Sequence, residues 1–141
     1  MAFSGNYFCT SAKVDFLSGA QTPLTDVIKI ALYTQNATLD ASTTVYSSTD
    51  EVSASGTYSS GGGTLTGTAI SYSGTTAWLT FDDIVFTSTS ITARGALIYN
   101  STKSNKSIAV LDFGSNKITS GGAFTIQFPV AGATTSIIRI A

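Results

Sequence analysis

Side chains able to do chemistry are few in this chain of 141 residues. Carboxylates cluster twice, as Asp50-Glu51 and as Asp82-Asp83. Acid–base work on a glycosidic bond needs two carboxyl groups held across a cleft. Neighbours on a strand point to opposite faces, so neither pair is a ready-made dyad. A calcium loop needs more oxygen ligands, at regular spacing, than either cluster supplies. The chain has no histidine, which removes the commonest general base and the commonest metal ligand. Cys9 is the single cysteine. It has no histidine to activate it and no second thiol for a disulfide or a zinc cluster, so it reads as a small buried side chain. Gly61-Gly62-Gly63 is not followed by Gly-Lys-Ser/Thr and is no phosphate loop. A G-x-S-x-G elbow is absent as well. These residues point to no enzyme, no cofactor and no metal site.

Composition narrows the partners. Charged residues make up 11%, against about 25% in an average soluble protein. Twenty-three Thr and 20 Ser stand in their place, and β-branched Thr suits a pleated face. Net charge is −1, so there is no basic patch to neutralise phosphates and no nucleic acid is expected. No apolar run approaches the roughly 20 residues of a membrane span, so no membrane is expected. The N-terminus lacks the basic start and continuous apolar stretch of a signal peptide, which predicts a protein made in the cytoplasm. The length suits one domain over residues 1–141, with an arm and short helix in 1–24 and a β core in 25–141.

The elements follow from periodicity. Ser11 to Ser18 reads as the one helix, with Thr10 as its cap and Gly19 as its left-handed stop. Val14 and Leu17 share one face, and Ala12 with Phe16 lies beside them. From Asp26 the period becomes two: Ile28, Ile30 and Leu32 face one way, Lys29 and Tyr33 the other. Residues 34–63 read as a polar loop with a short strand, in which only Val45, Tyr46 and Val52 are candidates for burial. Gly61 to Gly63 form a turn. Residues 65–81 have a hairpin pattern with Ser73-Gly74 as a two-residue turn, pairing Ile70 with Ala77 and Ala69 with Trp78. Gly67 marks a bulge. A short strand over residues 82–86 is followed by a turn at 87–91. Phe124, Ile126 and Phe128 alternate inward with Thr125 and Gln127 outward, Pro129 ends that run, and the chain closes on a last strand. Eight or nine strands with almost no helix predict an all-β fold, an antiparallel β-sandwich or jelly-roll-like single domain with one short N-terminal helix.

Residues 93–114 hold two charges in otherwise apolar runs. With a loop from Asn100 to Lys106, opposing residues have numbers that sum to 206. Ile98 then faces Ile108, Ala96 faces Val110, and Arg94 faces Asp112 as a cross-strand ion pair. On the other face Leu97 meets Ala109, Gly95 meets Leu111 and Ala93 meets Phe113. A hairpin apolar on both faces needs two covers: the other sheet, and either another subunit or the N-terminal helix. Lys103 and Lys106 at the tip are able to reach an acidic partner or to keep the edge soluble.

Five strings occur together: SAKVDFLSG, DVIKIALYTQNATLDASTTVYSSTDEVS, YSSGGGTLTG, ITARGALIYNSTKSNKSIAVLDFG and GGAFTIQFP. In this order they resemble a group of small tailed-phage virion structural proteins, over most of the chain from Ser11 to Pro129. The resemblance implies a virion protein without catalysis, synthesised in the host bacterial cytoplasm. By analogy between folds, it implies a capsid decoration or cement protein that binds the major capsid protein shell and associates with itself, commonly as a homotrimer. Phe8, Val14, Leu17, Lys103 and Lys106 are then the candidate partner contacts. A tail, collar or baseplate component is the alternative. A carbohydrate-binding β-sandwich is a further one, with Tyr46, Tyr58, Tyr72 and Trp78 as its aromatic candidates.

Overall fold

The computed structural model describes residues 3–141. Three strands predicted from alternation build its centre: β2 (Ile28–Tyr33), β7 (Thr92–Asn100) and β8 (Lys106–Ile118). With β1 (Tyr7–Phe8) and β3 (Gly63–Thr64) they form an antiparallel sheet in the order β1-β8-β7-β2-β3. Both faces of its central strands are buried. Ile28, Ile30, Leu32, Ala96, Ile98 and Ile108 line one face. Ala31, Tyr33, Leu97, Tyr99 and Val110 line the other.

Each face has its own cover. The first is covered by a three-stranded sheet, β10-β5-β4, and a two-stranded one, β6-β9. These are β4 (Ala69–Ser73), β5 (Thr76–Thr80), β6 (Ile84–Thr89), β9 (Gly122–Ile126) and β10 (Ile138–Ile140). They contribute Leu79, Phe86, Phe124, Ile126 and Ile138 to the core. The fold is thus all-β and sandwich-like, as the alternation predicted. The second face is covered by Phe3, Cys9, the helix α1 (Thr10–Ser18) through Ala12, and Ala37 and Leu39. The hairpin's second cover therefore comes from the chain itself.

Several expectations shift in detail. Cys9, not Thr10, occupies the helix cap position, and no side chain caps the helix. The Thr10 N–H is taken by the Ala41 carbonyl at 2.9 Å, so Thr10 is already helical. Gly19 stops the helix as predicted, at φ +75°. Ala12 is buried and Phe16 packs on Phe8 at 5.4 Å, so Val14 and Leu17 point outward.

In the β7–β8 hairpin the sum of 206 holds only at the tip, for Asn100–Lys106 and Tyr99–Ser107. Beyond it Ile98 faces Ala109, Leu97 faces Val110 and Ala96 faces Leu111, so the expected pairs are displaced by one. The cause is a bulge. The Ser107 N–H bonds the Thr44 carbonyl at 3.0 Å and the Ile108 carbonyl accepts from Cys9 at 2.9 Å, so neighbouring segments claim this backbone. Ile108 and Ala109 both join the first core, and Val110 and Leu111 exchange their predicted faces. A second irregularity follows, where Ala93 pairs with Lys117 rather than Phe113, and Phe113 leans toward Phe124 at 6.2 Å.

The β4–β5 turn is Gly74-Thr75, with Ile70 opposite Leu79 and Ser71 opposite Trp78. Gly74, at φ +59°, takes the first central position of the turn, where two-residue hairpins favour glycine. Gly67 lies before β4 rather than in a bulge, and an added Cβ there would collide with the Asp82 carboxylate. The turn expected at 87–91 is instead the end of β6. Thr57 holds Thr87 by hydrogen bonds in both directions, at 3.0 and 2.8 Å, and the strand continues past a kink at Ser88.

Candidate functional site

One carboxylate of each pair, Glu51 and Asp83, is hydrogen-bonded within its own neighbourhood. Glu51 stands opposite Tyr33 at an isolated bridge. Its Oε1 accepts the Tyr58 hydroxyl and the Gly61 N–H, both at 2.7 Å. Its Oε2 accepts the Tyr46 hydroxyl at 2.6 Å and Ser60 Oγ at 3.3 Å. Tyr58 Oη in turn accepts the Leu32 N–H at 2.8 Å. Tyr33 donates to the Ser47 carbonyl at 2.7 Å, and Tyr99 donates to the Gly61 carbonyl. Tyr46 stacks on Tyr99 with centroids 4.6 Å apart.

Burial raises the phenols of Tyr33 and Tyr58 far above their ordinary value and that of Tyr99 to about 12. Burial, with the bond to Glu51, raises Tyr46 as well. A saturated carboxylate ringed by neutral phenols is a clamp: it fixes the Ser/Thr-rich loop to the sheet. No periodic signal in the sequence marks it, because its members come from β2, β7 and an irregular loop. Ala37, Leu39 and Tyr58 were missed as buried for the same reason; Val52 is buried as expected, Tyr46 half-buried, and Val45 exposed.

The second pair is architectural too. Asp83 Oδ1 accepts the Phe128 N–H at 2.7 Å, and Asp82 sits against Gly67. Among the described residues no three Cys, Asp or Glu side chains gather as metal ligands. Cys9 is fully buried, and burial raises its thiol.

Arg94 and Asp112 do meet, Nε to Oδ1 at 2.9 Å, although Asp112 lies directly opposite Gly95. The irregularity beside Arg94 makes them diagonal neighbours. The pair is partly exposed, at 23% for Arg94 and 11% for Asp112. Burial pushes the Asp112 carboxyl up, but bonds from Arg94 and the Gly114 N–H outweigh it and hold it below its ordinary value.

Of the candidate contacts, the lysines turn back on their own chain: Lys103 lies 3.9 Å from Asp26 and Lys106 3.5 Å from Asp15. Phe8 is half-buried, with the Lys13 ammonium 5.8 Å from its ring centroid. Val14 and Leu17 are exposed at 60% and 87%. Of the aromatic candidates, Tyr46 and Tyr58 belong to the clamp, Trp78 is half-buried, and Tyr72 stands free at 76% exposure.

The three-stranded sheet presents a surface that sequence reasoning left unassigned. Register places Ile70, Leu79 and Ile138 in one row and Tyr72, Ala77 and Ile140 in the next on the same face. Leu79 and Ile138 are buried, whereas Ile70, Tyr72 and Ile140 are exposed. The core-facing side of this sheet thus overhangs the core, above an apolar groove of about 230 Å³ closed on the far side by Phe16 and Pro23. A larger open cleft, about 490 Å³, lies between the end of β8 and β9 and is lined by Phe113, Lys117, Phe124 and Gln127 among others. No helix among the described residues is long and apolar enough to cross a membrane. Comparison with known proteins finds no matching family model, no matching curated protein and no matching solved structure.

Proposed function

We propose that this chain is a virion structural protein of a tailed phage, a capsid decoration or cement protein that binds the outside of the major capsid protein shell. The observation that carries the reading is how the side chains are used. Glu51, Asp83, Asp112, Asp26 and Asp15 are all bound to groups of their own chain, while Val14, Leu17, Ile70, Tyr72 and Ile140 face outward. Among the described residues no buried side-chain nitrogen or oxygen lacks a partner. Such a molecule reads as a stiff body with adhesive apolar patches and, among the described residues, no cluster of side chains arranged for a reaction. The resemblance of the five strings to small phage virion proteins suggests the setting. Clamping joints between capsid subunits needs stiffness and contact area rather than a reaction.

The test adds purified protein to shells assembled without it, followed by sedimentation and electron microscopy. The reading expects saturable binding at symmetric positions on the shell and better retention of DNA on heating. Labelling confined to one vertex or to the tail would place the protein in a tail, collar or baseplate instead. Absence from virions altogether would overturn the reading.

A further inference from the structure

We infer that β4 is a self-association edge, at which two copies pair antiparallel about Ser71 and join their three-stranded sheets into one. This inference rests on the adhesive reading above and names one of the adhesive surfaces. All five residues of β4 are exposed, and the strand carries no charge and no proline. Native edges are ordinarily guarded by charge, proline, shortness or a cover. Most other edges here are shorter, charged or covered: β1 and β3 have two residues each, β10 carries Arg139, and β6 is met by Thr57. The β9 edge is likewise uncharged, but two of its five residues, Phe124 and Ile126, are buried in the core, whereas β4 has none.

The register of a pairing follows from the turn. In a two-residue hairpin the residues that close the turn, Ser73 and Thr76, exchange hydrogen bonds, and pairing then alternates. Ser71 and Ala69 therefore bond inward to β5, and the N–H and C=O groups of Ile70 and Tyr72 point to the open edge. Centring a two-fold axis on Ser71 sets Ile70 against the partner's Tyr72 and satisfies those groups on both copies. It also continues the apolar rows of Ile138-Leu79-Ile70 and Ile140-Ala77-Tyr72 across the junction. The strand is thus complementary to itself, which an isologous contact requires. No like charges meet there.

The patch is small. Tyr72 brings on the order of 150 Å², and the whole contact falls at the low end of specific interfaces, below about 1,200 Å² in total. The dimer should accordingly form at micromolar protein. A two-fold edge yields even assemblies, so a trimer would need a different surface.

Mass in solution tests this, using the full chain. Sedimentation equilibrium should show the mass rising from 14.5 kDa toward twice that value through the micromolar range. Ser71→Lys and Ser71→Glu each place like charges opposite one another at an exposed position, and each should weaken the dimer about fivefold or more. An equimolar mixture of the two variants should regain it. A wild-type chain that stays monomeric up to about 1 mM would overturn the proposal. So would an oligomer unaffected by either charge, which would put the interface elsewhere. A monomer that still coats shells would sink this inference and leave the cement reading standing; a β4 dimer absent from virions would do the reverse.

Discussion

Two sheets of one chain are built to opposite rules. The β1-β8-β7-β2-β3 sheet is buried on both faces at its centre, from Ile28 to Tyr33 and from Gly95 to Asn100, with only Lys29 half-exposed. In the β10-β5-β4 sheet only Leu79 and Ile138 are buried, and β4 has no buried residue. The first sheet is covered on one side by other strands and on the other by the N-terminal arm, so its apolar groups are used up in folding. The second covers the first but is itself only partly covered. Stability and adhesion are therefore separable in this molecule, and substitutions should report on one or the other.

The largest contrast lies between buried and exposed aliphatics. Leu97→Ala, at a fully buried position in β7, should cost about 2–5 kcal/mol in denaturant unfolding. Ile70→Ala, at a half-exposed position in β4, should cost less than about 0.5 kcal/mol. Equal losses would erase the distinction between the sheets.

Next comes the tyrosine clamp. Glu51→Ala would leave the Tyr46 and Tyr58 hydroxyls and the Gly61 N–H without their acceptor, at about 2–4 kcal/mol. Limited proteolysis should then cut within residues 34–63 before the sheet opens.

The clamp also sets an alkaline limit. The native phenols of Tyr33, Tyr46, Tyr58 and Tyr99 are raised, so the unfolded chain releases their protons first. Their stabilisation is whole below the unfolded value of about 10 and is lost as pH rises through the native values. Phenolate absorbance from these residues should appear together with loss of the β-sheet circular-dichroism signal. Appearance of all phenolate signal before unfolding would contradict the clamp.

A smaller effect belongs to the hairpin ion pair. The Asp112 carboxyl is held below its ordinary value, so its contribution is present above pH ~4 and fades as pH falls through the native value. Arg94→Met should cost about 1 kcal/mol at neutral pH, because the pair is partly exposed, and the gap to the wild type should narrow in acid.

The same contrast explains what was legible in the sequence. Alternation located β2, β7, β8 and β9, because each buries at least one face and the side-chain period of two records it. The faces of Ile28, Ile30 and Leu32 were read correctly for that reason. Register was read only at the hairpin tip, since the bulge at Ile108 is set by bonds from Cys9 and to Thr44, both remote in sequence. The Arg94–Asp112 pair was found by charge although its supposed register was off by one. The clamp around Glu51 left no local trace: its residues are joined by tertiary folding, and a Tyr in a Ser/Thr-rich loop has no period. The adhesive character of β4 was hidden for the opposite reason, because an alternating strand looks the same whether its apolar row is buried or open.

Residue-resolved amide hydrogen exchange tests the central claim most directly, comparing dilute protein with concentrated protein and with protein bound to shells. The account predicts that the amides of Ile98 and Val110 exchange slowly in every state. Those of Ile70 and Tyr72 should exchange fast when dilute and become protected as copies assemble. Unchanged, rapid exchange at Ile70 and Tyr72 in concentrated and shell-bound samples would contradict it.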